Sequence, residues 1–223
     1  MNINTYTFQD KKRKIKLYYF VHIPKTGGSS LKKYLLDKSV KNTSTQQNML
    51  IKGKKYILRI ISEGHKQAKD IIPEVYKFCI LREPYSRFLS AFRYIKEAGK
   101  NNPYWNNPEN YMFQKFKKFN INTPSDIFKL KNEYDKNKIL NYVMFIPMYK
   151  YVTDDNDNVI VDKIFILEKM NMKNLSSILE IDNIKLPKIN KSEFKYELTT
   201  EDKHYIRQYY KKDFELYYKF LHM

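Results

Sequence analysis

Lys25, Thr26, Gly27, Gly28, Ser29 and Ser30 form one run that combines a cation, two glycines and three hydroxyls. Glycines let a backbone approach a ligand closely, and a helix opening on Ser29 or Ser30 presents N–H groups that no carbonyl of the helix accepts. Such a helix start attracts anions, and Lys25 adds a full positive charge beside it. A phosphate-like group is the natural guest. The lysine precedes the glycines, so the run is not a G-x-x-x-x-G-K-S/T loop. A second stretch offers His65, with Glu63 as a competing base. An imidazole, with an unperturbed pKa of about 6.5, can take the proton from an attacking hydroxyl. A third stretch places Arg82 eight residues before Ser90. Guanidinium and hydroxyl together can grip a second phosphate through charge-assisted hydrogen bonds. One ligand with two separated phosphate-type groups is implied.

The elements that must position these groups are read from apolar periodicity. Leu17 to Val21, followed by Ile23, is a buried strand ending at the glycine run, and the next helix passes through Leu31, Tyr34 and Leu35. After a polar connector over 38–48, Tyr56 to Ile61 is a second strand that runs into Ser62-Glu63-Gly64-His65. Residues 66–72 predict a short helix closed by Pro73. Tyr76 to Leu81 is a third strand, and Pro84 suits the first turn of a helix with the stripe Phe88, Leu89, Phe92 and Ile95. Strands alternating with helices predict an α/β fold: a parallel central sheet flanked by helices, with ligands bound beyond the carboxyl ends of the strands. All three stretches lie at such ends.

Helical patterns at 109–119, 125–130 and 137–145, with Ser125 as a cap, predict a helical insertion over about 99–148. Then follow a turn at 153–158, a strand over 161–168, a helix over 172–179, a loop at 186–192, and one long helix from Thr199 or Thr200 to Phe220. The expected organisation is a basic N-terminal tail, 1–16, and a single domain, 17–223. His22 at the strand end reads as structural, Arg87 as supporting, and His204 and His222 as solvent-facing.

Composition narrows the field further. The single cysteine, Cys79, excludes an intramolecular disulfide, and its apolar neighbours make it a core thiol. No stretch approaches the roughly 18 apolar residues of a membrane span, and no signal-peptide core stands at the start, so a soluble cytoplasmic protein is expected. The net charge of +18 suits a nucleic acid, an anionic cofactor or a polyanionic substrate. A composition rich in Lys, Asn, Ile and Tyr produces the same excess, so charge alone decides nothing. No nucleic-acid reading motif is seen, and no nucleic-acid partner is expected. The carboxylates of 154–158 lack the glycine and distal glutamate of a calcium loop, and no metal site is expected.

The run His22-Ile23-Pro24-Lys25-Thr26-Gly27-Gly28-Ser29-Ser30-Leu31 resembles the 5′-phosphosulfate loop of the sulfotransferases, in its carbohydrate-sulfotransferase form. Leu81-Arg82-Glu83-Pro84-Tyr85-Ser86-Arg87-Phe88-Leu89-Ser90-Ala91-Phe92 resembles their 3′-phosphate motif, with Glu83 where the family usually has Asp. Gly64-His65 is similar to the Gly-His that supplies the base in some members. Asp162 to Glu168, Leu186 to Ser192 and Asp213-Phe214-Glu215 are similar to the later strand, the Leu-Pro-x-x-Asn-Lys-Ser loop and the terminal helix. Met148 stands where the resemblance leads one to expect Gln.

The resemblance implies 3′-phosphoadenosine 5′-phosphosulfate (PAPS) as donor and in-line sulfuryl transfer to a hydroxyl, of a carbohydrate or glycan, without a metal. It implies Lys25 and His65 as catalytic groups. It implies Lys25, Thr26, Gly27, Gly28, Ser29, Ser30, Arg82 and Ser90 as donor-binding, with Lys191 and Ser192 either closing over the nucleotide or forming a surface loop. The alternatives are a kinase-like P-loop protein and a non-catalytic nucleotide-binding protein.

Overall fold

Residues 76–81 alternate with nothing: Phe78, Cys79, Ile80 and Leu81 are all buried, the pattern of a strand covered on both faces. In the computed structural model, which describes residues 9–10, 13–31, 44–51, 54–61, 65–71, 73, 75–101, 108–170, 175 and 194–222, this is the strand β5 (Tyr76–Leu81) of a larger sheet. The others are β1 (Gln9–Asp10), β2 (Arg13–Val21), β3 (Ser44–Ile51), β4 (Lys54–Ile61) and β6 (Lys163–Ile166). The described helices are α1 (28–31), α2 (Pro84–Asn101), α3 (Pro108–Lys118), α4 (Pro124–Phe128), α5 (Glu133–Leu140), α6 (Tyr149–Val152), α7 (Thr200–Tyr209) and α8 (Lys211–Leu221). The chain divides into two units: Met1–Leu81, Met148–Ile189 and Phe220–Met223 in one, Arg82–Pro147 and Asn190–Lys219 in the other. Among the described residues no helix is long and apolar enough to cross a membrane.

The first unit carries the sheet, in the order β3-β4-β2-β5-β6, with β1 paired to β2. β4, β2, β5 and β6 run parallel, as expected of an α/β fold. Tyr19 lies beside Ile61 and Val21 beside Cys79, so β2, β4 and β5 end at one edge of the sheet. Cys79 is wholly buried, and that burial pushes its thiol far above the ordinary range, as befits a core thiol.

Several boundaries depart from the sequence reading. β2 begins at Arg13, inside the stretch read as a tail, because Lys14, Ile15, Lys16 and Leu17 alternate with a strand's period and pair with β4 and β1. β3, an antiparallel edge strand that only Lys52 and Gly53 separate from β4, begins inside the polar connector. Its Ser, Thr, Gln and Asn residues hide it from a propensity reading; pairing with β4 supplies what propensity does not. The helix expected over 66–72 is a single 3₁₀ turn, Ala68–Asp70, beyond which Ile71 is extended (φ −110°, ψ 136°). The strand over 161–168 shortens to β6. Asp162 anchors its start by accepting from the Lys77 N–H (2.6 Å) and donating its own N–H to the Lys77 carbonyl (2.9 Å). The 153–158 turn is present, bridged Thr153 to Val159 and closed by Asp154, whose carboxylate accepts from the Asn156 and Asn158 N–H groups. The helix expected over 172–179 lies outside the described residues, apart from Leu175.

The second unit is helical. Phe88, Phe92 and Ile95 of α2 pack with Met112 and Phe116 of α3 and Ile206 of α7, as their helical spacing predicts. Arg87 is 1% exposed and its guanidinium donates to the carbonyls of Ile146 (2.8 Å) and Met144 (3.3 Å), so it supports the fold. α4 is capped by Thr123, not Ser125; the Ser125 N–H instead donates to Asp202 (2.8 Å). The long terminal helix is two helices, broken at Tyr210 (φ −98°, ψ 26°), whose hydroxyl donates to the buried Phe145 carbonyl (2.5 Å).

Asp202 joins three segments of this unit. Its fully buried carboxylate accepts from Ser125, from the Tyr196 hydroxyl (2.6 Å) and from the Thr199 N–H (3.0 Å), while Thr199 caps α7 in return. Burial pushes this carboxyl up, but the hydrogen bonds from Tyr196, Thr199 and Ser125 outweigh it and hold it below its ordinary 3.8. A group lowered in the folded state stabilises fully above its unfolded pKa and loses that contribution as pH falls through the folded value. Asp202→Asn is therefore expected to cost about 1.5–3 kcal/mol at neutral pH, with the difference from the parent closing below pH 3.8. Urea melts at pH 7 and at successive acid values measure both.

Candidate active site

β2 delivers the chain to the loop at the carboxyl edge of the sheet. Ile23 is buried and its N–H turns back to the Val21 carbonyl (3.1 Å). The Thr26 hydroxyl, also buried, donates to the Ile23 carbonyl (2.9 Å). Thr26 thus braces the loop with its side chain, and only its backbone is left for a ligand. Lys25 adopts a left-handed conformation (φ 66°), as does Gly27 (φ 88°). Bulky residues pay roughly 1–2 kcal/mol for that region, so the lysine is held there by its neighbours.

The Gly27 carbonyl accepts from the N–H groups of Ser30 (3.0 Å) and Leu31 (3.3 Å), which makes Gly27 the cap of α1. The serines therefore do not cap the helix as expected; its cap lies two or three residues earlier, and the Ser30 N–H is already engaged. The N–H groups of Gly28 and Ser29 occupy the first helical positions, where the helix provides no acceptor. Ser29 is exposed and Ser30 half-buried.

At Gly28 a neighbouring side chain leaves no room for a Cβ. A Cβ there would lie 2.2 Å from Cδ2 and 2.5 Å from Nε2 of His22, and 3.1 Å from Phe20 Cε1. The imidazole of His22 fills the volume a side chain would need. Gly28→Ala is expected to destabilise by about 1–3 kcal/mol through overpacking, read as a lower melting temperature. At Gly27, by contrast, the nearest atom is the flexible end of Leu167 (2.8 Å), and the positive φ is the stronger demand.

His65 lies in the same unit as this loop, shortly after β4. Its Nδ1 is 2.8 Å from the His22 carbonyl oxygen, and its ring is 4.6 Å from the His22 ring. A carbonyl only accepts, so Nδ1 carries the proton. In the neutral imidazole Nε2 is then the bare nitrogen, the tautomer a general base needs. The competing base, Glu63, lies outside the described residues.

Arg82 and Ser90 belong to the helical unit, at the start of α2 and two turns into it; both are half-buried. Glu83 caps this helix: its carboxylate accepts from the N–H groups of Tyr85 (3.0 Å) and Ser86 (2.7 Å), and its carbonyl from Arg87 (2.9 Å). Pro84 takes the first helical position, as predicted. The Glu83 carboxylate thus takes the N–H groups that a helix start would otherwise offer to an anion. The capping role of Glu83 was not read from the sequence; the signal for it was a carboxylate directly before Pro84. Lys191 and Ser192 lie outside the described residues. Met148, which stands where the resemblance leads one to expect Gln, is fully buried. The helical unit also holds a groove of about 740 Å³ lined by Lys203, Arg207, Lys211 and Phe214, among others; neither Arg82 nor Ser90 lines it. His204 and His222 are exposed, as expected.

A mostly parallel sheet with a glycine loop and helix start at its carboxyl edge is the arrangement of α/β proteins that handle anionic ligands. A model of the sulfotransferase family matches residues 7–219, which span both units, and the chain belongs to that family. It is thus a transferase that moves a sulfuryl group to an acceptor. Neither a curated protein nor a solved structure matches the chain.

Proposed function

We propose that the protein transfers the sulfuryl group of PAPS to a hydroxyl of a carbohydrate or glycan. The observation that carries this reading is the His65 Nδ1–H bond to the His22 carbonyl, which readies an imidazole base in the unit that bears the Lys25 loop. Lys25 and the N–H groups of Gly28 and Ser29 form a donor set suited to the sulfated 5′ side of the nucleotide. Arg82 and Ser90 take the 3′ phosphate, with Lys191 and Ser192 assigned to the same nucleotide from their loop motif. PAPS, when bound, supplies an activated sulfuryl group on a phosphate leaving group. Lys25 then stabilises charge developing on that phosphate, and Nε2 of His65 accepts the proton of the attacking hydroxyl. The acceptor class rests on the carbohydrate-type form of the 22–31 run.

Calorimetric titration with 3′-phosphoadenosine 5′-phosphate (PAP) and with ATP tests the donor. Micromolar binding of PAP is expected, weakened about tenfold to a hundredfold in Arg82→Ala by loss of a charge-assisted bond. Equal or tighter binding of ATP would overturn the reading in favour of a kinase-like protein. Screening of hydroxyl-bearing acceptors with labelled PAPS tests the acceptor, and labelling confined to non-carbohydrate acceptors rejects that part.

A further inference from the structure

We infer that His22 is a positioning residue for His65, an inference that rests on the proposed role of His65 as base. Its ring is stacked on Phe20 (centroids 5.6 Å apart, planes at 24°), and Phe20 is itself buried against Phe78 (5.2 Å). One edge of the ring fills the space over Gly28, where a Cβ would lie 2.2 Å from it. The ring also meets that of His65, at 4.6 Å and 40°. Its own backbone carbonyl accepts the His65 Nδ1–H (2.8 Å).

Two constraints on one imidazole thus come from a single residue. The carbonyl selects the tautomer and anchors one corner of the His65 ring. The side chain limits how far that ring can swing about the anchor, since rotation towards His22 is blocked by a ring that Phe20 and Gly28 hold in place. Removing the side chain leaves the hydrogen-bond acceptor where it is and opens space beside the base. Catalysis by an oriented group is steep in geometry: a displacement of about 1 Å costs up to about 10²-fold. His22 acts through His65 and not on the substrate, so its effect belongs in turnover.

The test compares His22→Ala, His22→Leu and His22→Phe, each checked for folding by circular dichroism. Steady-state kinetics with PAPS, PAP affinity by calorimetry, and ¹⁵N-imidazole NMR of His65 are the readouts. His22→Ala and His22→Leu are expected to lower kcat at least about tenfold with PAP affinity within threefold, and to average the His65 nitrogen shifts that in the parent report an Nδ1–H tautomer. His22→Phe, which keeps a ring over Gly28, is expected to recover most of kcat and the single tautomer. An unchanged kcat in both ringless variants overturns the inference. So does a His22→Phe as slow as His22→Ala, which would assign the imidazole its own chemistry, or a loss of PAP affinity matching the loss of rate. If the parent shows no PAPS-dependent transfer, the proposed reaction fails, yet the NMR comparison still decides whether His22 orders His65.

Discussion

Lys25→Ala is expected to lower kcat by about 10²–10³-fold, the cost of removing one preorganised donor from a developing negative charge. In the proposed reaction the sulfuryl group leaves a phosphate that becomes more anionic, so the lysine would interact more strongly with the transition state than with bound PAPS. Loss of such an interaction appears in kcat more than in KM. A variant with raised KM and unchanged kcat would make Lys25 a ground-state binder and remove its catalytic role. The backbone provides a control independent of activity. Lys25 stands at φ 66°, where alanine is strained and glycine is not. Lys25→Gly should therefore be more stable than Lys25→Ala by about 1 kcal/mol, while both lose the same turnover. Thermal melts and steady-state kinetics on the pair separate the charge from the fold.

His65→Ala is expected to cost about 10²–10⁴-fold in kcat, the usual range for a positioned general base. PAP affinity should stay within a few-fold, because Nε2 is assigned to the acceptor hydroxyl and not to the nucleotide. The rate of the parent should fall on the acid side as the imidazole takes up a proton and Nε2 ceases to accept. In the variant that acid limb should be absent. The sign follows from the tautomer: with Nδ1–H held by the His22 carbonyl, the added proton can only go to Nε2. If His65→Ala retains the parent's rate and its acid limb, the base lies elsewhere, and Glu63 is the side chain to substitute next.

What was legible in the sequence was local. β2 and β5 stand out as runs of apolar β-formers, and the loop after β2 announces itself by a lysine, two glycines and two serines in fixed order. Pro84 marks the start of α2, and the stripe through Phe88, Phe92 and Ile95 marks its buried face. What was not legible depended on partners far along the chain. β3 is polar and exists because β4 pairs with it. The break at Tyr210 answers to a carbonyl at Phe145, and the displaced role of Ser125 to a carboxylate at Asp202. In the loop itself, glycine at 28 also makes room for the ring of His22. Periodicity sees the neighbour at two or four positions; it does not see a ring folded back across six residues of loop.

The first strands have a consequence for anyone shortening this chain. Lys14, Ile15 and Lys16 are paired to Tyr56, Ile57 and Leu58 of β4, and Arg13 and Lys14 to β1. A chain begun at Leu17 would keep every residue proposed to bind or react, yet it would bare a stretch of β4 backbone on the side now closed by β2. Unpaired strand edges recruit other strands. Such a protein should lose solubility before it loses chemistry, and its failure would be one of self-association at a newly opened sheet margin.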